Sequence, residues 1–288
     1  MTMRPITAPT LRSRLRGRGR ATPLLTSLLL LPFAGSCAGS AQQTGAPAQR
    51  LPVLAGTAPV VRYAVTHTWP HDRQAFTEGL VIRGGRLFES TGLSGSSELR
   101  ETDLRTGRVL RRERLPATDF GEGLTVLGGE IYQLTWRSHV GFVYDAGSFH
   151  RLRTFTYPTE GWGLTDDGTS LIMSDGTPTV RFLDPLTMHV RRSISVHDGG
   201  APVSQVNELE LVHGQLLATI WMQDRIATIN PETGAVTRWL DLTGLLPPGE
   251  RPDRNDVLNG IAYAGKGDDI IVTGKRWPAM FTLHAVAG

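Results

Sequence analysis

From about residue 60 onward, apolar and polar residues alternate along short runs, and the runs come in pairs joined by glycine-containing turns. The turns are Gly84-Gly85, Gly128-Gly129, Asp167-Gly168, His213-Gly214 and, with a small insertion, Gly265 to Asp269. Period-two alternation broken by such turns predicts β-hairpins, because successive side chains of a strand point to opposite faces. No long helical period appears in this region, which argues against a βαβ arrangement.

Each hairpin opens on a copy of one short pattern: Thr77-Glu78-Gly79-Leu80, Gly121-Glu122-Gly123-Leu124, Gly161-Trp162-Gly163-Leu164, Val206-Asn207-Glu208-Leu209 and Leu258-Asn259-Gly260-Ile261. The second residues of these markers are spaced by 44, 40, 45 and 52 positions, a period belonging to repeated supersecondary units rather than separate domains. Behind each of the first four hairpins a further turn recurs, at Asp103 to Gly107, Asp145 to Ser148, Asp184 to Thr187 and Asn230 to Gly234. There the leading Asp or Asn is expected to cap the turn by bonding the backbone two residues on. Four strands per repeat and five repeats predict an all-β fold, a five-bladed β-propeller of four-stranded antiparallel blades over residues 60–288. Met280 to Val286 supplies only a third strand for the last blade, so Val61 to His67 is expected to return as its fourth, closing the ring and covering its edges. A monomer is the expectation for a ring with closed edges.

The repeat aligns two columns of residues at one rim. Glu78, Glu122, Trp162, Asn207 and Asn259 form the first; Gly92, Trp136, Gly176, Trp221 and Lys275, fourteen residues on in four copies and sixteen in the last, form the second. The chain has six Trp in 288 residues, so ten random positions should hold about 0.2 of one, and these hold three. Packing between blades is one account of the indoles. The carboxylates, Asn and Lys fit it poorly, since polar groups facing an enclosed space need partners or a ligand.

Residues 1–36 contain six Arg and no acidic residue, and the apolar stretch Pro23 to Ala34 is too short to span a bilayer; together they predict a secretory signal. Taking six positive charges from the formal +3 of the chain leaves −3, so the basic character belongs to the leader and the body offers no nucleic-acid surface. The only cysteine, Cys37, follows Ala34-Gly35-Ser36 as in a bacterial lipobox, although Ala34 stands where Leu is usual. Two fates stay open: acylation at Cys37, giving a cell-envelope lipoprotein, or cleavage to a periplasmic or secreted protein. Residues 37–59, rich in Ala, Gly, Gln and Pro, read as a disordered tether.

The motifs Ala75 to Leu80, Phe120 to Leu124, Leu134 to Trp136, Gly161 to Gly163, Val206 to Leu209 and Thr273 to Lys275 resemble the glutaminyl-peptide cyclotransferases of plant and bacterial type, which are five-bladed propellers. The resemblance spans about Tyr63 to Leu283. It implies conversion of N-terminal glutamine to pyroglutamate with loss of ammonia, a catalytic carboxylate at Glu122, and a pocket of Phe76, Phe120, Trp136, Trp162 and Trp221. It further implies polar contacts from Asn207 and Lys275. Glu78 departs from the Gln that plant members carry, which bears on rate and pH optimum.

Cyclisation is intramolecular: it needs a folded substrate conformer, a proton carried from amine to departing ammonia, and support for a developing oxyanion. Glu122 is the expected proton carrier, its pKa raised by enclosure and by Glu78 one blade away. Lys275 either steadies the carbonyl oxygen or pairs with Glu122. Asn207 orients the amide or the amine, Asn259 shares the rim or caps a strand, and Arg276 and Trp277 lie near enough to touch a second substrate residue. No spacing of the eight His and single Cys suggests a metal set, so no cofactor is expected, and a structural cation in the central channel stays open. Two other readings stand beside the cyclase: a noncatalytic lipoprotein binding peptide N-termini, and a propeller glycosidase using Glu78 and Glu122.

Overall fold

The computed structural model describes residues 56–286. The leader, the lipobox reading at Cys37 and most of the predicted tether lie outside them. The chain enters through β1 (Val60–Pro70) and then builds sheets of consecutive antiparallel strands. The first sheet is β2 (Thr77–Arg83), β3 (Arg86–Thr91), β4 (Glu98–Thr102) and β5 (Val109–Arg114). The second is β6 (Gly121–Leu127), β7 (Glu130–Thr135), β8 (Val140–Asp145) and β9 (Arg151–Thr156). The third is β10 (Leu164–Asp166), β11 (Leu171–Met173), β12 (Thr179–Leu183) and β13 (Val190–Ser195), followed by the short ribbon β14 (His197–Asp198) and β15 (Ala201–Pro202). The fourth is β16 (Val206–Val212), β17 (Gln215–Ile220), β18 (Arg225–Ile229) and β19 (Val236–Asp241). Then come β20 (Leu258–Tyr263), β21 (Ile270–Gly274) and β22 (Ala279–Val286), with β1 as the returning fourth strand from Arg62↔Val286 to Pro70↔Ala279. The protein is all-β and propeller-like, and the only helical element among the described residues is the 3-10 turn Pro248–Glu250.

β1 does more than complete the last sheet. Val60 and Val61 also pair in parallel with Trp239 and Leu240 of β19, which makes the fourth and fifth sheets continuous. Thr57 and Ala58, read from composition as the end of the tether, donate their backbone N–H groups to Asp198 Oδ1 at 2.8 and 2.9 Å, and Trp239 donates its backbone N–H to Pro59. These bonds attach the end of that segment to an acceptor that lies 140 residues away, which composition does not reveal.

Apolar clusters fill the spaces between successive sheets. Val81, Phe88 and Leu99 of the first sheet pack with Leu124, Ile131 and Phe142 of the second. Corresponding sets join second to third, third to fourth and fourth to fifth sheets. Leu80 and Leu87 meet Ala262, Ile271 and Met280 to join fifth to first. The first strands touch in turn, β2 with β6, β6 with β10, β10 with β16, β16 with β20, and β20 with β2. Glycine at the third marker position permits this approach: a Cβ on Gly123 would lie 2.5 Å from the backbone of Leu164 and Trp162. The repeated Asp and Asn cap their turns, Asn230 accepting from the Glu232 N–H two residues on as expected and Asp103 from the Thr106 N–H three residues on, both at 2.8 Å.

Candidate functional site

Four of the five markers carry a β-bulge, in the register steps Thr77/Gly79, Gly121/Leu124, Val206/Leu209 and Leu258/Ile261. A bulge leaves a residue unpaired and re-aims its side chain; here it turns out Glu78, Glu122, Asn207 and Asn259. It also shifts the partner column. Gly92, Trp136, Trp221 and Lys275 donate their backbone N–H groups to the residue just before each marker, Phe76, Phe120, Gln205 and Val257, rather than standing opposite the marker itself. A third column, two positions upstream, thereby joins the rim.

The three columns enclose a cavity of about 420 Å³ lined by Phe76, Glu78, Phe120, Glu122, Trp136, Trp162, Asn207, Trp221 and Lys275, with Arg137 and Asn255 at its margin. The nine residues expected as the catalytic and pocket set meet there, Asn259, Arg276 and Trp277 do not line it, and Asn255 and Arg137 are additions. The aromatic walls are interlocked: Phe76 meets Phe120 edge-on at 6.0 Å, Phe120 lies 5.6 Å from Trp136, and Trp162 meets Trp221 edge-on at 5.8 Å. Glycine in the second column makes room for them, since a Cβ on Gly92 would fall 2.3 Å from the Phe120 ring.

A polar chain crosses the floor. Lys275 Nζ donates to Glu78 Oε1 at 2.7 Å, Asn259 Nδ2 donates to Glu78 Oε2 at 2.8 Å, and Asn207 Nδ2 donates to Asn259 Oδ1 at 3.0 Å. Asn259 also donates to the Thr77 carbonyl, so two acceptors fix which end of its amide is nitrogen, and that in turn fixes Asn207. Asn207 has thus spent a donor on Asn259 and keeps its oxygen as an acceptor. Lys275 pairs with Glu78 and not with Glu122, the alternative drawn from the sequence. Asn259 is fully buried, a link in the chain rather than a wall of the cavity.

Glu122 stands apart from this chain. It is buried and nothing among the described residues steadies it by a hydrogen bond; burial and the neighbouring Glu78 push its pKa well above the ordinary glutamate value, Lys275 opposes the rise, and Glu160 adds to it. Burial likewise raises Glu78, to about 7, against the pull of Lys275 and Asn259. Two carboxyls with raised pKa values thus face one cavity.

Trp277 is a correction. Its indole is wholly buried, donates Nε1–H to the Asp256 carbonyl at 2.9 Å and lies over Gly274, whose missing Cβ leaves it space. It therefore packs in the core and does not face the rim. Arg276 is held by Asp256 at 2.7 Å and stacks over Phe76 from 5.1 Å. Among the described residues no group of three or more His, Cys, Asp or Glu side chains is placed to hold a metal ion.

A sequence model of the family described as glutamine cyclotransferase matches residues 31–285. The glutaminyl-peptide cyclotransferase of Arabidopsis thaliana is 42% identical over 225 residues, covering 76% of this chain and 70% of that protein. The crystal structure of Myxococcus xanthus glutaminyl cyclase is similar with a TM-score of 0.75 at 35% identity, covering 80% of this chain and 100% of that one. An aromatic cavity with an unpaired carboxyl, the extent of the family match and the identity to the plant enzyme agree: the chain belongs to the glutamine cyclotransferase family.

Proposed function

We propose that this protein converts the N-terminal glutamine of peptides and proteins to pyroglutamate with release of ammonia, with Glu122 as the proton carrier. The observation that carries the role of Glu122 is a buried carboxyl free of hydrogen-bond partners, facing an aromatic cavity and held by its surroundings in a readily protonated state. The substrate's α-amine attacks its own side-chain amide carbon, forming the ring C–N bond. Glu122 accepts the amine proton and returns it to the amide nitrogen, whose bond to carbon breaks to release ammonia. The carboxylate is regenerated and no other reactant is consumed. Because attack is intramolecular, holding the folded conformer supplies much of the acceleration.

The remaining groups divide the work. The indoles and phenyl rings cover the substrate methylenes and flank its α-amine. The free oxygen of Asn207 accepts from an N–H of the substrate, and Lys275 offers a cation to the developing oxyanion. Five four-stranded units, the last two joined through β1 into one eight-stranded sheet, five apolar clusters between them and a cycle of first strands support the reading as a five-bladed propeller. The basic leader and Cys37 support export, with acylation of Cys37 as the form of any membrane anchor.

Ammonia release and the matching mass loss from a short peptide beginning with Gln test the reaction. Glu122→Gln is expected to lower kcat by about 10²–10⁴-fold with little change in KM. Near-normal turnover in that variant would remove Glu122 from proton transfer. Peptide binding without ammonia release by the intact protein would leave a binding protein.

A further inference from the structure

We infer that Glu160 is a positioning residue that sets the two indole walls of the cavity, an inference that rests on the cyclase reading. It occupies the third-sheet place of the upstream column, where the first two sheets carry Phe76 and Phe120. Phe76 and Phe120 line the cavity themselves. Glu160 works from behind: its Oε2 accepts the indole N–H of Trp136 at 2.7 Å and that of Trp162 at 3.0 Å, while its Oε1 accepts from Arg137 Nε at 2.8 Å.

The two indoles come from different sheets, Trp136 following β7 and Trp162 preceding β10; their backbones meet where Gly161 donates its N–H to the Trp136 carbonyl at 3.1 Å, and one carboxylate oxygen ties the side chains themselves. Each ring is fixed from a second side as well. The Arg137 guanidinium lies 3.8 Å over the Trp136 ring. Trp162 rests on Gly176, where a Cβ would stand 2.7 Å from its six-membered ring. An indole has one N–H and one soft torsion beyond χ1, so fixing the N–H edge fixes the face presented to the cavity. Burial works against the charge of Glu160, but the hydrogen bonds from Trp162, Arg137 and Trp136 outweigh it and hold its pKa below the ordinary value. It therefore stays ionised at neutral pH, where charge-assisted bonds are the stronger kind.

A displaced wall of about 1 Å can cost on the order of 10²-fold in a reaction governed by orientation. Steady-state kinetics on a glutaminyl dipeptide, with near-ultraviolet circular dichroism of the tryptophan bands and melting temperature, distinguish the possibilities. Glu160→Ala is expected to lower kcat/KM by roughly 10–100-fold, mainly through KM, and to alter the tryptophan bands. Glu160→Asp keeps the charge but retracts it by about one C–C bond, roughly 1.5 Å, so it should behave like Ala. Glu160→Gln keeps an oxygen that can accept both N–H groups and should restore most of the loss. Equal damage from Gln and Ala would overturn the proposal in favour of a charge effect, as would Ala and Asp variants with unchanged kinetics and spectra. Should the alanine variant fail to melt cooperatively, the Asp and Gln pair decides alone. An intact protein without turnover sinks the cyclase reading, while the spectra still report whether Glu160 holds the indoles.

Discussion

Glu78 shares Lys275 and Asn259 between its two oxygens, and its pKa of about 7 means that its charge changes across the neutral range. Its negative form repels a second charge on Glu122. Replacing it by the neutral amide should let Glu122 ionise more easily, because removing a nearby like charge favours the charged form and lowers the pKa. The expected result of Glu78→Gln is an acid limb of the kcat/KM profile displaced to lower pH, read from initial rates across the pH range; a displacement to higher pH would contradict the coupling. The sequence made Glu78 and Glu122 legible as a pair because a repeat places equivalent residues at equivalent depth. It left open the partner of Lys275, since choosing between two carboxylates requires distances. Glu160 lies two before Trp162, as Phe76 and Phe120 lie two before Glu78 and Glu122, but the change from aromatic to acid hides the column in the sequence.

At the scale of strands, the hairpins and their turns were readable because alternation and glycine pairs are local signals. The bulges were not, since one unpaired residue leaves the apolar pattern on either side nearly intact. Yet the bulge decides which side chains reach the cavity. The glycines beside it have a separate task, which Gly123 shows most directly: its missing Cβ is where the next first strand runs. Gly123→Ala is expected to cost about 1–3 kcal/mol of stability through overpacking against backbone that cannot step aside. Urea unfolding should show a lower midpoint with an unchanged slope. A wild-type midpoint would mean that the sheets are free to separate. Trp277 illustrates the converse, an aromatic residue near the rim in sequence that Gly274 allows to fold inward.

For the molecule as a whole, the cycle of first strands encloses buried carboxyls. Glu208 stands where the four other markers have glycine; it is fully buried and accepts from the Leu80 N–H of the first sheet at 3.0 Å. Burial raises its pKa well above the ordinary value, more than the bond from Leu80 lowers it, and burial raises that of Glu210 to about 7. A carboxyl with a raised folded pKa binds more protons folded than unfolded, so its contribution falls as pH climbs from the ordinary glutamate range through the raised value. His71 acts in the same direction: burial lowers its pKa, but Glu89 and the Trp277 carbonyl more than compensate, and the stability it adds below about pH 6.5 is lost as pH rises through the raised value. Melting is therefore expected at higher temperature near about pH 6 than near about pH 9, and Glu208→Gln should narrow that gap. A gap unchanged by the substitution would show that Glu208 titrates normally. By itself the sequence determined the repeat, the strand pattern, the returning strand and the residues of the rim, because each is encoded by periodicity or by spacing along the chain. Only the tertiary structure decided that Lys275 meets Glu78 across 197 residues, that Asn259 becomes a buried link, that Glu160 ties two sheets and that Trp277 turns away. Those outcomes depend on ring closure and bulge geometry, which set distances that no local pattern contains.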